Sequence, residues 1–220
     1  MKSLRLFTAT LLCLLLVQPF HPVLSGPSQA PWYTVELVLF TRAISPGASG
    51  EYWPPLIDEP ERERTQTATP SGSRQLAGAR EALERAGGLT PVIHTAWRQP
   101  VSGRTTARGV YIRSERETAP GVALVEGLVK ISIGRYLHVD LDLVMHRAPE
   151  GSAALPGRYQ SYRFEEHRRM RSKEVHYIDH PLMGMLILIT PAGGGGSPSA
   201  EMDRSPEVQE GPAESPAQAD

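Results

Sequence analysis

The sequence predicts a single α+β domain with a mainly antiparallel sheet and one principal helix. Three observations support this fold class. Strand-like segments follow one another with short links, the segment at 135–147 alternates apolar and polar residues, and the segment at 73–88 has helical spacing. Closely spaced strands favour antiparallel pairing, because parallel strands need long crossover connections.

The first strand is predicted at PWYTVELVLF, residues 31–40. Both faces of this segment are mostly apolar when it is extended, which is typical of an interior strand. Pro31 stands at its first position, where a missing N–H does least harm. Residues 41–72 are rich in Pro, Gly and charge and predict a long loop, with Trp53 among its possible anchors.

The helix is predicted at SRQLAGAREALERAGG, residues 73–88. Leu76 and Leu83 belong to an apolar set that recurs at helical spacing. Ser73 is expected to cap the helix, and the glycines at 87 and 88 to end it.

Further strands are predicted after the helix. The clearest is RYLHVDLDLVMHR at 135–147. Its odd-numbered residues from Leu137 to Met145 share one face and its even-numbered residues from Tyr136 to Val144 share the other, as in a half-buried antiparallel strand. The other predicted strands span 90–100, 107–113, 122–133, 162–171 and 175–191, the last interrupted by a turn before Pro181.

Both ends of the chain differ in composition from the middle. Residues 1–25 contain two early basic residues and an apolar run from Leu6 to Val17, which is typical of a cleavable secretory signal peptide and too short to span a membrane. Residues 193–220 are rich in Gly, Ser and Pro and carry six acidic residues and one basic residue, so disorder is expected. The folded domain is therefore expected at residues 26–192.

Several classes of function are disfavoured by composition. The only cysteine, Cys13, lies in the predicted signal peptide, so the mature protein would have no thiol, and an exported protein without disulfides fits a bacterial periplasm. A net charge of −1 and export disfavour nucleic acid as a partner. No Gly-rich loop precedes a helix, so no cofactor is expected, and no membrane span is predicted in the mature protein.

A metal-dependent hydrolase is one alternative. His176, Asp179 and His180 have side chains that zinc binds, but their strand-like surroundings place the two imidazoles roughly 13 Å apart. Further candidate ligands are His138, Asp140 and His167. The sequence has no G-x-S-x-G and no H-E-x-x-H motif, so no catalytic or metal-binding residue is assigned.

A basic cluster at 163–173 is the stronger indication of function. Strand alternation places Arg169 and Arg171 on one side of the segment and Arg168 on the other. Guanidinium groups bind carboxylates and phosphates with two parallel hydrogen bonds, so the cluster suits an anionic ligand. An ordinary solvated edge strand, balanced by neighbouring glutamates, is the competing interpretation.

Four segments resemble the CsiV-type peptidoglycan-binding proteins of Gram-negative bacteria. They are WYTVELVLF from residue 32, VIHTAWRQP at 92–100, GRYLHVDLDL at 134–143 and RRMRSKEVHYIDHPLMGMLILITP at 168–191. Their order is also similar to that of the family. The resemblance covers about residues 31–192 apart from the loop at 41–72, and excludes the predicted signal peptide and the acidic tail.

The resemblance implies a periplasmic, non-enzymatic protein that binds peptidoglycan. It also implies that the protein supports or regulates wall synthesis through a peptidoglycan synthase or its lipoprotein activator. Arginines would bind stem-peptide carboxylates, and aromatic rings would stack on sugars. The candidate ligand-binding residues are Trp97, Arg98, Arg168, Arg169, Arg171, His176 and His180. A protein-interaction adaptor without affinity for the wall is the second alternative.

Overall fold

The computed structural model describes residues 30–54, 65–149 and 158–193. The predicted signal peptide and residues 194–220 of the predicted tail lie outside these ranges. The elements in chain order are β1 (Trp32–Arg42), a 3-10 helix (Pro46–Ala48), β2 (Thr69–Pro70), α1 (Ala77–Arg85), β3 (Leu89–Pro100), β4 (Gly109–Arg113), β5 (Glu117–Ala119), β6 (Val122–Ala123), β7 (Val125–Ile133), β8 (Leu137–Arg147), β9 (Gln160–Met170), β10 (Val175–His180) and β11 (Met183–Pro191).

The strands form two main sheets. The first has the order β10-β11-β1-β3-β2, the second has the order β4-β7-β8-β9, and β5 pairs with β6. Every pairing between named strands is antiparallel, and the described ranges contain one α-helix, which confirms the predicted α+β class with a mainly antiparallel sheet. The described helices include none that is long and apolar enough to cross a membrane.

Strand β1 occupies the centre of the first sheet, as its two apolar faces predict. It pairs with β11 on one side and with β3 on the other. Val35, Leu37 and Leu39 on one face are fully buried in an apolar core that also contains Leu141 and Leu143 of β8. We call the sheet faces that meet in this core the inner faces; burying them against each other is the main source of stability for such a pair of sheets.

The helix α1 covers part of the opposite face of the first sheet. Leu76 and Leu83 pack there against Val38 and Leu188. The helix is shorter than the predicted segment at 73–88, and Ser73 does not cap it: the N-cap residue, Leu76, makes no side-chain capping hydrogen bond. Ser73 donates its hydroxyl hydrogen bond to Glu36 of β1 instead.

The buried carboxylate of Glu36 binds the backbone just before α1, where Ser73 was expected to act as the cap. Its oxygens accept hydrogen bonds from the backbone N–H groups of Gln75 and Leu76, both at 2.9 Å, and His94 Nε2 lies 2.9 Å away. Burial tends to raise the pKa of the Glu36 carboxyl, but the hydrogen bonds from Ser73, His94 and the backbone outweigh it and hold that pKa below its usual value. An ionised group in the interior is tolerated here because all of these donors converge on it.

The segment after β1 is anchored by Trp53. Its indole N–H lies 3.2 Å from the Pro46 carbonyl and 3.1 Å from Ser49 Oγ. Its ring packs edge-on against Tyr162 of β9, with 5.3 Å between ring centres. The expected anchoring role of Trp53 is therefore what the structure shows.

We predict that Gly127→Ala strongly destabilises the protein. Gly127 of β7 has a φ of 145°, and a Cβ built on it would lie 2.2 Å from the Asp142 carbonyl oxygen in β8. The neighbouring atoms are backbone, so the sheet itself must shift, and we expect a loss of about 3 kcal/mol in the free energy of unfolding. Urea denaturation monitored by circular dichroism measures this loss.

The matched control is Gly87→Ala, because a Cβ at Gly87 would meet nothing within 4 Å. We expect this control to change the free energy of unfolding by no more than about 1 kcal/mol. Equal effects of the two substitutions would contradict the role assigned to Gly127.

Candidate functional site

One end of the molecule is strongly basic. Strand β1 begins there and β3 and β11 end there, because Tyr33 pairs with Pro191 of β11 and with the end of β3. The link between β9 and β10, residues 171–174, is held at this end by a 2.8 Å hydrogen bond from the Lys173 N–H to the Ile189 carbonyl. We call this region the basic end and define it by Arg98, Arg135, Arg169, Arg171 and Lys173.

A cavity of about 420 Å³ opens at the basic end. Residues lining it include Tyr33, Arg135, Tyr136, Arg171 and Glu174. Tyr136 is 40 % exposed, and the guanidinium carbons of Arg169 and Arg135 lie 4.5 and 5.5 Å from its ring centre. Cation–π attraction favours this arrangement, which places an aromatic ring and positive charge beside one opening.

The cations of the basic end are mostly left free by the protein's own acids. Within the described ranges, no carboxylate oxygen lies within 4 Å of Arg135, Arg169 or Lys173. Arg171 lies 3.7 Å from Glu174, and its side chain is 76 % exposed. Because such exposed pairs contribute little energy, an external carboxylate can replace Glu174 at low cost.

Lys173 adopts an unusual backbone conformation in the same link. Its φ is 66°, and within the described ranges it is the one residue other than glycine with a positive φ. This conformation costs a residue with a Cβ roughly 1 kcal/mol compared with glycine. A lysine that is kept in a conformation favouring glycine is a candidate for a role of its ammonium group.

Two other candidate residues, Arg168 and His176, have local partners. Arg168 is exposed on the face of β9 opposite Arg169, and its Nε lies 3.2 Å from Glu166. His176 Nε2 accepts a 3.0 Å hydrogen bond from the Arg171 N–H, so the imidazole shapes the 171–174 link. The expected role of His176 in ligand binding stays a prediction.

The Trp-Arg pair of β3 is divided between the core and the surface. Trp97 is 3 % exposed and lies in the apolar core, where its indole N–H donates a 2.7 Å hydrogen bond to Gln99 Oε1. This burial argues against the expected stacking of Trp97 on a sugar ring. Arg98 lies at the basic end, with its guanidinium 6.0 Å from the ring centre of Trp32.

His180 lies between the two sheets. Its ring centre is 4.8 Å from that of Phe164 in β9 and 5.3 Å from that of Trp53. Burial lowers the pKa of the His180 imidazole below its usual value of 6.5, and Arg42 acts in the same direction. The Arg163 backbone and Asp179 act in the opposite direction but do not compensate. His180 is therefore half-buried and packs between the sheets, and its expected role in ligand binding stays a prediction.

A second, larger groove of about 680 Å³ lies on the outer face of the second sheet. Asp140 is its centre, with His167 at 2.6 Å, Lys130 at 3.4 Å and Arg104 at 3.9 Å. Burial tends to raise the pKa of the Asp140 carboxyl, but His167 and Lys130 hold it below its usual value. Arg163 likewise makes two hydrogen bonds to Asp142, so the charges of this groove largely neutralise one another.

The geometry does not assemble the alternative metal site. Asp179 lies on the face of β10 opposite His176 and His180, where it pairs with Arg42. Among the described residues, no three side chains of the kind that bind metals form a cluster.

A serine and a histidine also face each other on neighbouring strands of the second sheet. Ser132 Oγ and His138 Nδ1 each lack a hydrogen-bond partner within the described residues, so the two side chains are not hydrogen-bonded to each other.

The sequence reasoning missed Arg135, Tyr136 and Glu36. The sequence analysis includes Arg135 and Tyr136 in the strand predicted at 135–147, whereas β8 begins at Leu137 and leaves both residues at the strand end, where they line the cavity. Glu36 is the one charged residue of the mostly apolar strand predicted at 31–40, and such a residue usually indicates a buried partner.

We predict that His180→Phe flattens the dependence of stability on pH. Because the pKa of His180 is lower in the folded protein, the unfolded chain binds more protons as the pH falls through 6.5, and stability is lost there. The variant lacks this contribution, so its free energy of unfolding should fall less between pH 7.5 and 5.5. Urea titrations at several pH values measure this slope.

The control is Ile178→Val, a change to a buried neighbour on β10 that adds and removes no titratable group. We expect it to lower stability by about 1 kcal/mol at every pH without changing the slope. A slope in His180→Phe equal to that of the parent would contradict the burial effect.

Comparison with known proteins gives one family. A family model described as "Peptidoglycan-binding protein, CsiV" matches residues 6–192. No curated protein and no solved structure matches the chain. The matched region includes all the described strands and the basic end. The chain therefore belongs to the CsiV family of peptidoglycan-binding proteins.

Proposed function

We propose that the protein is a non-catalytic periplasmic component that binds peptidoglycan through its basic end. The observation that carries this proposal is a cluster of exposed cations around a cavity that also presents Tyr136. Within the described ranges Arg135 and Arg169 have no carboxylate within 4 Å, and Arg171 has only Glu174, at 3.7 Å. The family description supports the ligand, and the apolar run after Lys2 and Arg5 supports export.

The chemistry of the ligand suits this surface. Stem peptides end in carboxylates and also carry side-chain carboxylates, and the exposed guanidinium groups of Arg169 and Arg171 can each bind one with two hydrogen bonds. The exposed part of Tyr136 offers an apolar ring for a sugar face. Binding through exposed charges should weaken with salt, since ions screen such interactions.

We further propose that the bound protein supports or regulates wall synthesis by contacting a peptidoglycan synthase or its lipoprotein activator. Strand β10 is at the edge of its sheet and exposes 54 % of Val175 and 49 % of Tyr177, a feature that suits contact with another protein. Capture of a purified synthase or activator, with and without sacculi, separates a wall-bound regulator from an adaptor without wall affinity.

We expect the double substitution Arg169→Ala with Arg171→Ala to weaken binding to purified sacculi. Each lost guanidinium removes a charge-assisted contact, and together they should reduce affinity by about tenfold at low salt. Co-sedimentation of residues 26–220 with sacculi, at increasing protein concentration, measures this affinity.

A matched control is Arg74→Ala with Arg80→Ala, which removes one arginine just before α1 and one within it, both away from the basic end. We expect this control to sediment like the parent. An unchanged affinity for the Arg169 and Arg171 variant would exclude these residues from wall binding. Failure of the parent itself to sediment at low salt would overturn the proposed function.

We predict that Lys173→Gly raises the stability of the protein and weakens its binding to sacculi. Glycine adopts a φ of 66° without strain, so we expect the free energy of unfolding to rise by about 0.5 to 1 kcal/mol. Loss of the ammonium group should weaken sedimentation with sacculi. Lys173→Asn, which tolerates the same conformation and is also uncharged, should bind as weakly as the glycine variant; full binding by both would show that the lysine charge is not used.

A further inference from the structure

The described chain ends at the basic end. The Ala192 N–H donates a 2.8 Å hydrogen bond to the Trp32 carbonyl, and the Gly193 carbonyl lies 3.5 Å from Arg98 Nη2. The following residues, 194–220, therefore leave the fold beside the surface proposed to bind the wall. Their own positions lie outside the described ranges.

Residues 194–220 and the basic end have opposite charge. Residues 194–220 contain one basic residue, Arg204, and six acidic residues, Glu201, Asp203, Glu207, Glu210, Glu214 and Asp220, a net charge of −5. The basic end carries five cations and has Glu174 as an acid within the link. An acidic segment that starts at a cationic surface is attracted to it over about 10 Å at 0.1 M salt.

The length of the segment is sufficient for contact. With flexible-chain dimensions of about 5 to 6 Å times the square root of the residue number, Glu201 would lie roughly 15 Å from Gly193, and Glu214 roughly 25 Å. Tyr33, which lines the cavity, pairs with Pro191 two residues before Gly193. A short tether of this kind gives an effective concentration in the millimolar range.

We propose that residues 194–220 dock on the basic end and compete there with the anionic wall polymer. The carboxylates of the segment take the places of stem-peptide carboxylates on Arg135, Arg169 and Arg171. The inference rests on the proposed function, because competition requires that the wall binds the same surface. Its consequence is a protein whose affinity for the wall is held below the value that the basic end alone would give.

The other charged surfaces fit the segment less well. The groove around Asp140 already pairs its cations with Asp140 and Asp142 and would repel further carboxylates. Arg80 of α1 is paired with Glu84 of the same helix at 2.7 Å. The basic end combines unpaired cations with proximity to Gly193, so docking is expected there.

Docking is tested first without any wall material. Residues 26–220 contain no cysteine, so Ser215→Cys gives a single attachment point for a paramagnetic label. We expect the label to broaden the amide resonances of Tyr136 and Arg171 at low salt, and the broadening to disappear at 0.5 M salt. The matched control replaces the six acids of the segment by Asn or Gln in the same labelled chain, and broadening should then be lost.

Competition is tested by co-sedimentation with sacculi. We expect the chain with the six acids replaced to bind roughly fivefold more tightly than the parent at low salt, and equally at 0.5 M salt. Equal affinities of the two chains at low salt would overturn the competition, and absence of salt-sensitive broadening would overturn docking at the basic end. If neither chain sediments but broadening is present, the wall-binding function and the competition fail, whereas the docking contact stands.

Discussion

The inner faces of the two sheets must be buried against each other, and this requirement determines where the functional residues lie. Strands β9 and β10 are consecutive in the chain but belong to different sheets. The chain therefore passes from one sheet to the other through residues 171–174, at an end of the molecule where backbone groups still reach solvent. Two strands that each contribute side chains to the core, among them Met170 of β9 and Ile178 of β10, thereby position a short polar link and its cations.

The same constraint explains how much of the fold is visible in the sequence. Local alternation was sufficient for β1 and β8, and the two apolar faces of β1 correctly predicted its central position. The contact that holds the start of α1 could not be predicted in this way, because the carboxylate that binds the N–H groups of Gln75 and Leu76, just before the helix, comes from Glu36, about 40 residues earlier. When donor and acceptor are so distant in sequence, the only indication of their contact is an isolated charged residue in a mostly apolar strand.

The site was predictable to a similar extent. Strand alternation predicted that Arg169 and Arg171 lie on one side of their segment, and their role in binding stays a prediction. Trp97 and Arg98 are adjacent in sequence and lie on opposite faces of β3, one in the core and one at the surface. An aromatic residue in a strand is equally compatible with either face until the register is known. The contribution of Arg135 and Tyr136 depends on the pairing of Leu137 with Met170, which composition alone does not reveal.

Charge pairing, rather than charge alone, distinguishes the two surface openings. In the larger groove Asp140 and Asp142 pair with the surrounding cations, so binding an anion there would require breaking existing contacts. At the basic end the guanidinium groups of Arg135 and Arg169 lie over a tyrosine ring instead of a carboxylate. These exposed arginines contribute little to folding, whereas the sheets are held by the apolar core and by Glu36. The residues that hold the fold are therefore separate from those proposed to bind anions, so a loss of binding in a basic-end variant would indicate loss of contact instead of loss of fold.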